Sequence, residues 1–222
     1  NVMEEYQEIF KRVEKKYVLN EAQYMEFLSL IRDRMNMEKF ASYTICNIYF
    51  DTPNYELIRE SIEKPIYKEK LRIRSYGIPK PDDKVFIEIK KKFDGVVYKR
   101  RICMTWNEAV DYMICGNDPA EKNQITKEID WFKNSREIYP MVFIAYDRSA
   151  MCSKEDKNLR ITFDTNIRWR TSQLDLTKGS FGNIQLGNNN YIMEVKIPKA
   201  VPIWLADAFD KKRPSKLATP FL

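Results

Sequence analysis

Basic residues recur two positions apart in one segment after another, and an extended strand puts residues i and i+2 on the same face. In KEKLRIRSY, Lys70, Arg72, Arg74 and Tyr76 share a face while Leu71 and Ile73 share the other. VFIEIKKK sets Glu88, Lys90 and Lys92 against Val85, Ile87 and Ile89, and YIMEVKIP sets Glu194 and Lys196 against Met193, Val195 and Ile197. In LRITFDT, Arg160, Thr162 and Asp164 oppose Leu159, Ile161 and Phe163. Arg12, Glu14 and Lys16 share a face in FKRVEKKYV, Lys99 and Arg101 in VVYKRRI, and Tyr146 and Arg148 in VFIAYDRS. Guanidinium forks grip carboxylate or phosphate oxygens two at a time, and lysines act as point charges. The chemistry open to such faces is the capture of an anion.

Composition narrows the chemistry further. The 222 residues contain no histidine, which excludes a Ser-His-Asp triad, a Cys-His nucleophile, His-ligated zinc and a His general base. Catalysis would have to use carboxylates, lysines, arginines and a hard metal ion. Lys and Arg number 38 against 32 Asp and Glu, a net charge of +6, which again points to an anionic partner. The four cysteines (Cys46, Cys103, Cys115, Cys152) form no CxxC pair, as expected of a reducing, cytoplasmic setting. No apolar run approaches the roughly 20 residues of a membrane span, and NVMEEYQEIF lacks the basic-then-apolar pattern of a secretory signal.

The elements that must position these residues are strands with helices between them. Apolar spacing predicts helices over Asn20–Met35, capped by Asn20 with Gln23 at the capping-box position, and over Pro53–Ile62, Trp106–Ile114, Pro119–Asn134 and Pro202–Lys211. Alternation predicts eight strands near 9–18, 43–51, 68–76, 84–92, 96–104, 141–150, 159–168 and 190–197. No repeat or linker marks a boundary, so residues 1–222 are expected to form a single domain. Solvent-facing sheet faces also carry Lys, Arg and Glu, but here cations are doubled with few carboxylates between them. The alternative is a sheet closed on itself, with charged faces inside and apolar faces under helices. Such a lumen persists only with paired carboxylates or a bound polyanion. Asp51 and Asp164 read as hydrogen-bonding residues at strand ends, and the four tryptophans as core or helix-packing residues.

The segments RVEKKY, IYFDTPNY, LRIRSYG, FIEIKKK, AYDRSAM, LRITFDT and MEVKIP, in that order, resemble the triphosphate tunnel metalloenzyme superfamily. More narrowly they resemble the VTC domain, the polyphosphate polymerase domain of the vacuolar transporter chaperone complex, and its stand-alone bacterial relatives. The resemblance implies an α+β fold: an eight-stranded antiparallel β-barrel forming a triphosphate tunnel, with helices packed outside. It implies that Lys16, Arg72, Arg74, Lys90, Lys99, Tyr146, Arg148 and Arg160 bind phosphates, with Arg72, Arg74, Lys90, Arg148 and Arg160 serving the transfer step. Near the C-terminus, RPSK would add Arg213, Ser215 and Lys216. Glu194 would hold Mn²⁺ or Mg²⁺, with Glu88 and Glu14 the other carboxylates available as ligands.

The hydrolase and cyclase branches of that superfamily share an N-terminal Glu-x-Glu-x-Lys, whereas this chain has Arg12, Glu14 and Lys16. Exchanging a metal ligand for a cation favours a grip on a long polyanion over placement of a metal-bound water. A terminal phosphate attacking a nucleoside triphosphate is already an oxyanion and needs no general base. Three readings stand: a polyphosphate-forming phosphotransferase using a nucleoside triphosphate, a metal-dependent tri- or polyphosphate hydrolase, and a non-catalytic polyanion-binding module. No DNA-specific binding is expected, and any membrane partner would be a separate chain.

Overall fold

In a computed structural model, residues 13–38, 42–63, 66–94, 96–185, 187, 189–197, 200–212 and 215–216 are described. The chain opens with β1 (Val13–Asn20), α1 (Glu21–Ile31), β2 (Met35–Met37), β3 (Tyr43–Asp51), α2 (Glu56–Glu63) and β4 (Tyr67–Tyr76). It continues with β5 (Lys84–Phe93), β6 (Val96–Thr105), α3 (Trp106–Val110), one π-helical turn at Asp111–Cys115, α4 (Gln124–Ser135), β7 (Tyr139–Ser153) and β8 (Arg160–Arg170). A 3₁₀ turn at Leu176–Lys178, β9 (Asn183–Ile184), β10 (Asn190–Ile197), α5 (Ile203–Lys212) and β11 (Ser215–Lys216) complete it. Among the described residues the fold is α+β with eleven strands, antiparallel in each pairing whose register is resolved.

The start of α1 follows the sequence. Asn20 Oδ1 accepts from the Gln23 backbone N–H at 2.8 Å and Gln23 Oε1 accepts from the Asn20 N–H at 3.0 Å, so two end groups are satisfied reciprocally. The helix stops at Ile31, short of the predicted Met35, because Met35, Asn36 and Met37 pair instead with Ser153, Cys152 and Met151 of β7. Strand pairing there outweighs the helical spacing. Likewise Pro119–Asn123 stay outside α4, which Asn123 caps through the Ile125 and Thr126 N–H groups. Asp51 ends β3 and its carboxylate accepts from the backbone N–H groups of Thr52, Leu57 and Ile58, capping α2.

Two compact units share the chain. One takes the described residues of Asn1–Ser42, Arg148–Thr165 and Asn189–Ala218; the other takes those of Tyr43–Asp147 and Asn166–Asn188. In the first, strands run β11-β1-β10-β8, with β2 on β7. In the second they run β7-β3-β4-β5-β6, with β9 on β8. Both paths are open among the described residues: β6 pairs only with β5, and β11 only with β1.

Each unit has its own apolar core on the faces the alternation predicts. Leu71, Ile73, Val85, Ile87 and Ile89 pack with Ile48, Phe50, Phe143, Ala145 and the inner faces of α3 and α4. In the other unit Tyr17, Leu19, Ile161, Phe163, Met193, Val195 and Ile197 pack under Phe27 and Ile31 of α1 and Leu205 and Ala208 of α5. Burying one such aliphatic side chain is worth about 1.5–3 kcal/mol, so these faces fix the strand orientation and turn the charged residues to the opposite side. Trp106 belongs to the first of these cores and Trp204 packs against the second, as expected, but Trp131 is exposed, with the Lys91 ammonium over its ring.

Candidate anion-binding site

Register sorts the charged face of the β3–β6 unit into rows. Tyr49, Arg72, Glu88 and Arg101 stand side by side on successive strands, and Lys70, Lys90 and Lys99 form the next row. Arg72 donates from Nε and Nη2 to Glu88 Oε2 at 2.8 and 2.6 Å and from Nη1 to the Tyr49 hydroxyl at 2.7 Å. Lys99 Nζ lies 3.0 Å from Glu88 Oε1, and Arg74 Nε lies 3.8 Å from Oε2. Arg74 also donates to Asn47 Oδ1 at 2.9 Å and to the Tyr146 hydroxyl at 3.1 Å, and Asn47 donates to the Ile144 carbonyl. Burial alone would raise the Glu88 carboxyl, but Arg72, Arg74 and Lys99 outweigh it and hold it at about 2. Burial would likewise raise the Tyr49 phenol, which Arg72, Arg74 and Lys70 instead bring below its ordinary value.

The β1–β10–β8 unit repeats the pattern. Lys16, Glu194 and Thr162 share one row; Glu14, Lys196 and Arg160 share the next. Glu194 lies 3.3 Å from Lys16 Nζ and 3.0 Å from Lys196 Nζ, and Lys16 is 3.9 Å from Glu14. Arg148 makes a bidentate pair with Asp164 at 2.6 and 2.7 Å, and Asp164 lies within β8 rather than at the strand end expected for it. Arg160 is held by Glu38 at 2.7 and 2.8 Å. The Glu194 carboxyl, which burial would raise, is drawn to about 2 by Lys16 and Lys196, with Arg148 adding to them. Beside it, the buried Thr162 hydroxyl has no hydrogen-bond partner.

Both units therefore build a cationic face partly neutralised by carboxylates, with Glu88 buried at the centre of one set and Glu194 between the lysines of the other. Such a face can accept phosphate oxygens by replacing or joining those carboxylates. Residues 11–219 match the VTC domain family. The chain belongs to the VTC domain family. Among solved structures, a candidate adenylate cyclase from Bacillus halodurans matches at 12% identity with a TM-score of 0.58, covering 94% of this chain and 92% of that one. A candidate adenylyl cyclase from Hippeastrum with a dominant triphosphatase activity matches at 13% identity and a TM-score of 0.52, covering 95% and 92%. These structures share the fold. No curated protein matches the chain.

With the VTC family in hand, the expected residues can be placed. Arg72, Arg74, Lys90, Lys99 and Tyr146 lie on the charged face of one unit, and Lys16, Arg148, Arg160 and Glu194 on that of the other. Ser215 and Lys216 form β11 on the edge of β1, while Arg12 and Arg213 lie outside the described residues. Tyr49, Asn47, Glu38 and Thr162 join the site without having been expected there. Tyr49 and Asn47 carry the right alternation in YTICNIYFD, but their pairing with Arg72 and Arg74 comes from the β3–β4 register.

The carboxylates differ in their fitness for a metal ion. Among the described residues no three His, Cys, Asp or Glu side chains gather into a ligand set. Glu88 is taken up by three cations. Glu194 and Glu14 flank Lys16 on one face as hard oxygen donors, and the orphaned Thr162 hydroxyl stands beside Glu194. That set fits a hard cation whose remaining ligands are phosphate oxygens, the usual manner for Mg²⁺.

Proposed function

We propose that this VTC domain is a polyphosphate polymerase-type phosphotransferase that moves the γ-phosphate of a nucleoside triphosphate onto a polyphosphate chain held along its basic faces. The observation that supports this best is the state of the acidic groups. Glu88, Glu194, Asp164 and Glu38 each lie against at least one Arg or Lys, and Glu88 and Glu194 are held far below the ordinary carboxylate range. Carboxylates so depressed make poor bases toward water. They do suit a reaction whose nucleophile is already an oxyanion and whose catalysis is placement and neutralisation.

In this reading Arg72 and Arg74 grip phosphate oxygens with their forks, Lys90 and Lys99 add point charge, and Tyr146 orients Arg74. In the other unit Arg148, Arg160 and Lys16 do the same, with Ser215 and Lys216 supplied from β11; Arg213, outside the described residues, is proposed for the same role. Glu194, with Glu14, would hold Mn²⁺ or Mg²⁺. The chemistry a divalent ion held there would supply is neutralisation of phosphate charge. The proposed architecture of the site is the eight-stranded tunnel, in a single domain, that the sequence resemblance implies. Free thiols at all four cysteines accord with a cytoplasmic setting. No helix among the described residues is long and apolar enough to cross a membrane, so any membrane partner would be a separate chain or segment.

A second reading, a tri- or polyphosphate hydrolase, is favoured by the triphosphatase activity of the Hippeastrum protein on the same fold. Incubation with ATP and Mn²⁺ followed by gel separation decides between them. Long-chain polyphosphate supports the polymerase, release of orthophosphate alone supports the hydrolase, and binding of tripolyphosphate with neither product leaves a polyanion-binding module.

A further inference from the structure

At one end of the Tyr49–Arg72–Glu88 row the charged face becomes apolar. A cavity of about 540 Å³ opens there, walled by Tyr49, Ile144, Ile167 and Trp169 of the sheet and by Tyr55 and Ile62 at the α2 side. Its size falls within the range of small-molecule sites. It adjoins the cations directly: Tyr49 is at once a wall of the cavity and the acceptor of the Arg72 Nη1 hydrogen bond, and Lys70, two residues before Arg72, lies on the lining. Of the polar side chains on the lining, the Asp51 carboxylate is spent on three backbone N–H groups of the α2 cap, and Thr171 and Gln185 stand beside Lys70 as the other polar groups.

From this juxtaposition we propose that the cavity receives the heteroaromatic base of a nucleoside triphosphate whose phosphates lie on Arg72 and its neighbours. A ligand with one flat apolar end and one polyanionic end matches an aromatic cavity continuous with a guanidinium row; free polyphosphate matches only the row. The base is held by stacking and burial on Tyr49, Tyr55 and Trp169, so recognition favours large bases over small ones. This inference rests on the phosphate-binding reading of the cationic rows.

The test compares ATP with methyl triphosphate, which has the same charge and no base, by calorimetric titration of the full chain in chelator. ATP is expected to bind at least tenfold more tightly. Val142→Trp, which fills the cavity, and Tyr55→Ala and Ile62→Ser, at exposed positions on its α2 side, should each cost ATP at least fivefold and leave methyl triphosphate within twofold. Equal affinity of the two compounds for the unaltered protein, or parallel losses in the variants, overturns the base site while the phosphate reading stands. Binding of neither compound overturns both.

Discussion

Arg72 sets two of its nitrogens, Nε at 2.8 Å and Nη2 at 2.6 Å, on a single oxygen of Glu88, its register partner across β4 and β5. The other Glu88 oxygen lies 3.0 Å from Lys99. One buried carboxylate thus holds together cations that would otherwise repel, and it occupies the arginine fork that a phosphate would use. Under the proposed function an incoming triphosphate would replace Glu88 on Arg72 or share it.

Glu88→Gln should separate those two functions. Removing one member of a buried ion pair typically costs about 3–5 kcal/mol, so the ligand-free variant should melt well below the unaltered protein. Under the proposed function tripolyphosphate would stabilise the folded state by mass action and, in the variant, also relieve the freed cations. Its melting shift should therefore be larger in the variant. Equal shifts, measured by scanning calorimetry at matched ionic strength, would show that Glu88 and phosphate do not compete for the same cations.

The two faces of β4 predict opposite phenotypes. Arg74→Ala removes a charge-assisted donor set and should weaken tripolyphosphate binding by roughly 1.5–3 kcal/mol, about ten- to a hundredfold. Ile73→Ala, one residue away and buried in the core, should cost about 2–5 kcal/mol of stability and leave the affinity of the folded fraction unchanged. Titration and urea melts on both variants check this, and unchanged affinity in Arg74→Ala would remove Arg74 from the site.

Acid should unfold the protein through the same carboxylates. Glu88 and Glu194 sit at about 2 in the folded state against 4.5 ordinarily, so each contributes stability that is complete above the ordinary value and is lost as the pH falls from about 4.5 toward 2. The loss is on the order of 2–3 kcal/mol per group. Urea midpoints should be flat with respect to these groups from pH 8 to 5 and then fall. Glu88→Gln, already less stable, should fall less steeply, and a parallel slope would mean that Glu88 titrates normally.

The alternation of residues in LRIRSYG or MEVKIP reports which side chains share a face, because a two-residue period follows from extended backbone alone. The placement of Arg72 and Arg74 opposite Leu71 and Ile73 was legible for that reason, as were the eight long strands and the Asn20–Gln23 capping box. What a neighbouring strand brings alongside depends on register, which many side chains fix together. Tyr49 and Asn47 therefore stayed invisible as partners of Arg72 and Arg74, and Glu38, just beyond the three-residue β2, stayed invisible as the partner of Arg160. Met35 misled for the same reason: its spacing from Ile31 is helical, yet its burial comes from pairing with β7.

The metal reading turns on Glu194. Its carboxylate lies between Lys16 and Lys196 with Glu14 across Lys16, an arrangement that suits either an ion-pair clamp or a hard-cation ligand. Glu194→Gln keeps the shape and removes the charge. If the carboxylate only neutralises lysines, the substitution leaves turnover partly intact and tightens polyphosphate binding, since a repulsive anion has gone. If it holds the divalent ion, turnover is lost, while binding of tripolyphosphate measured in chelator stays within about tenfold, because a ligand's loss need not disturb the cations that grip phosphate. The expected outcome is the second. Thr162→Val provides the companion test: it removes the orphaned hydroxyl from the same row and should raise the Mn²⁺ concentration needed for half-maximal turnover without changing metal-free binding. Retained turnover in Glu194→Gln with an unaltered Mn²⁺ dependence would end the metal role of this glutamate and leave it as the clamp of Lys16 and Lys196.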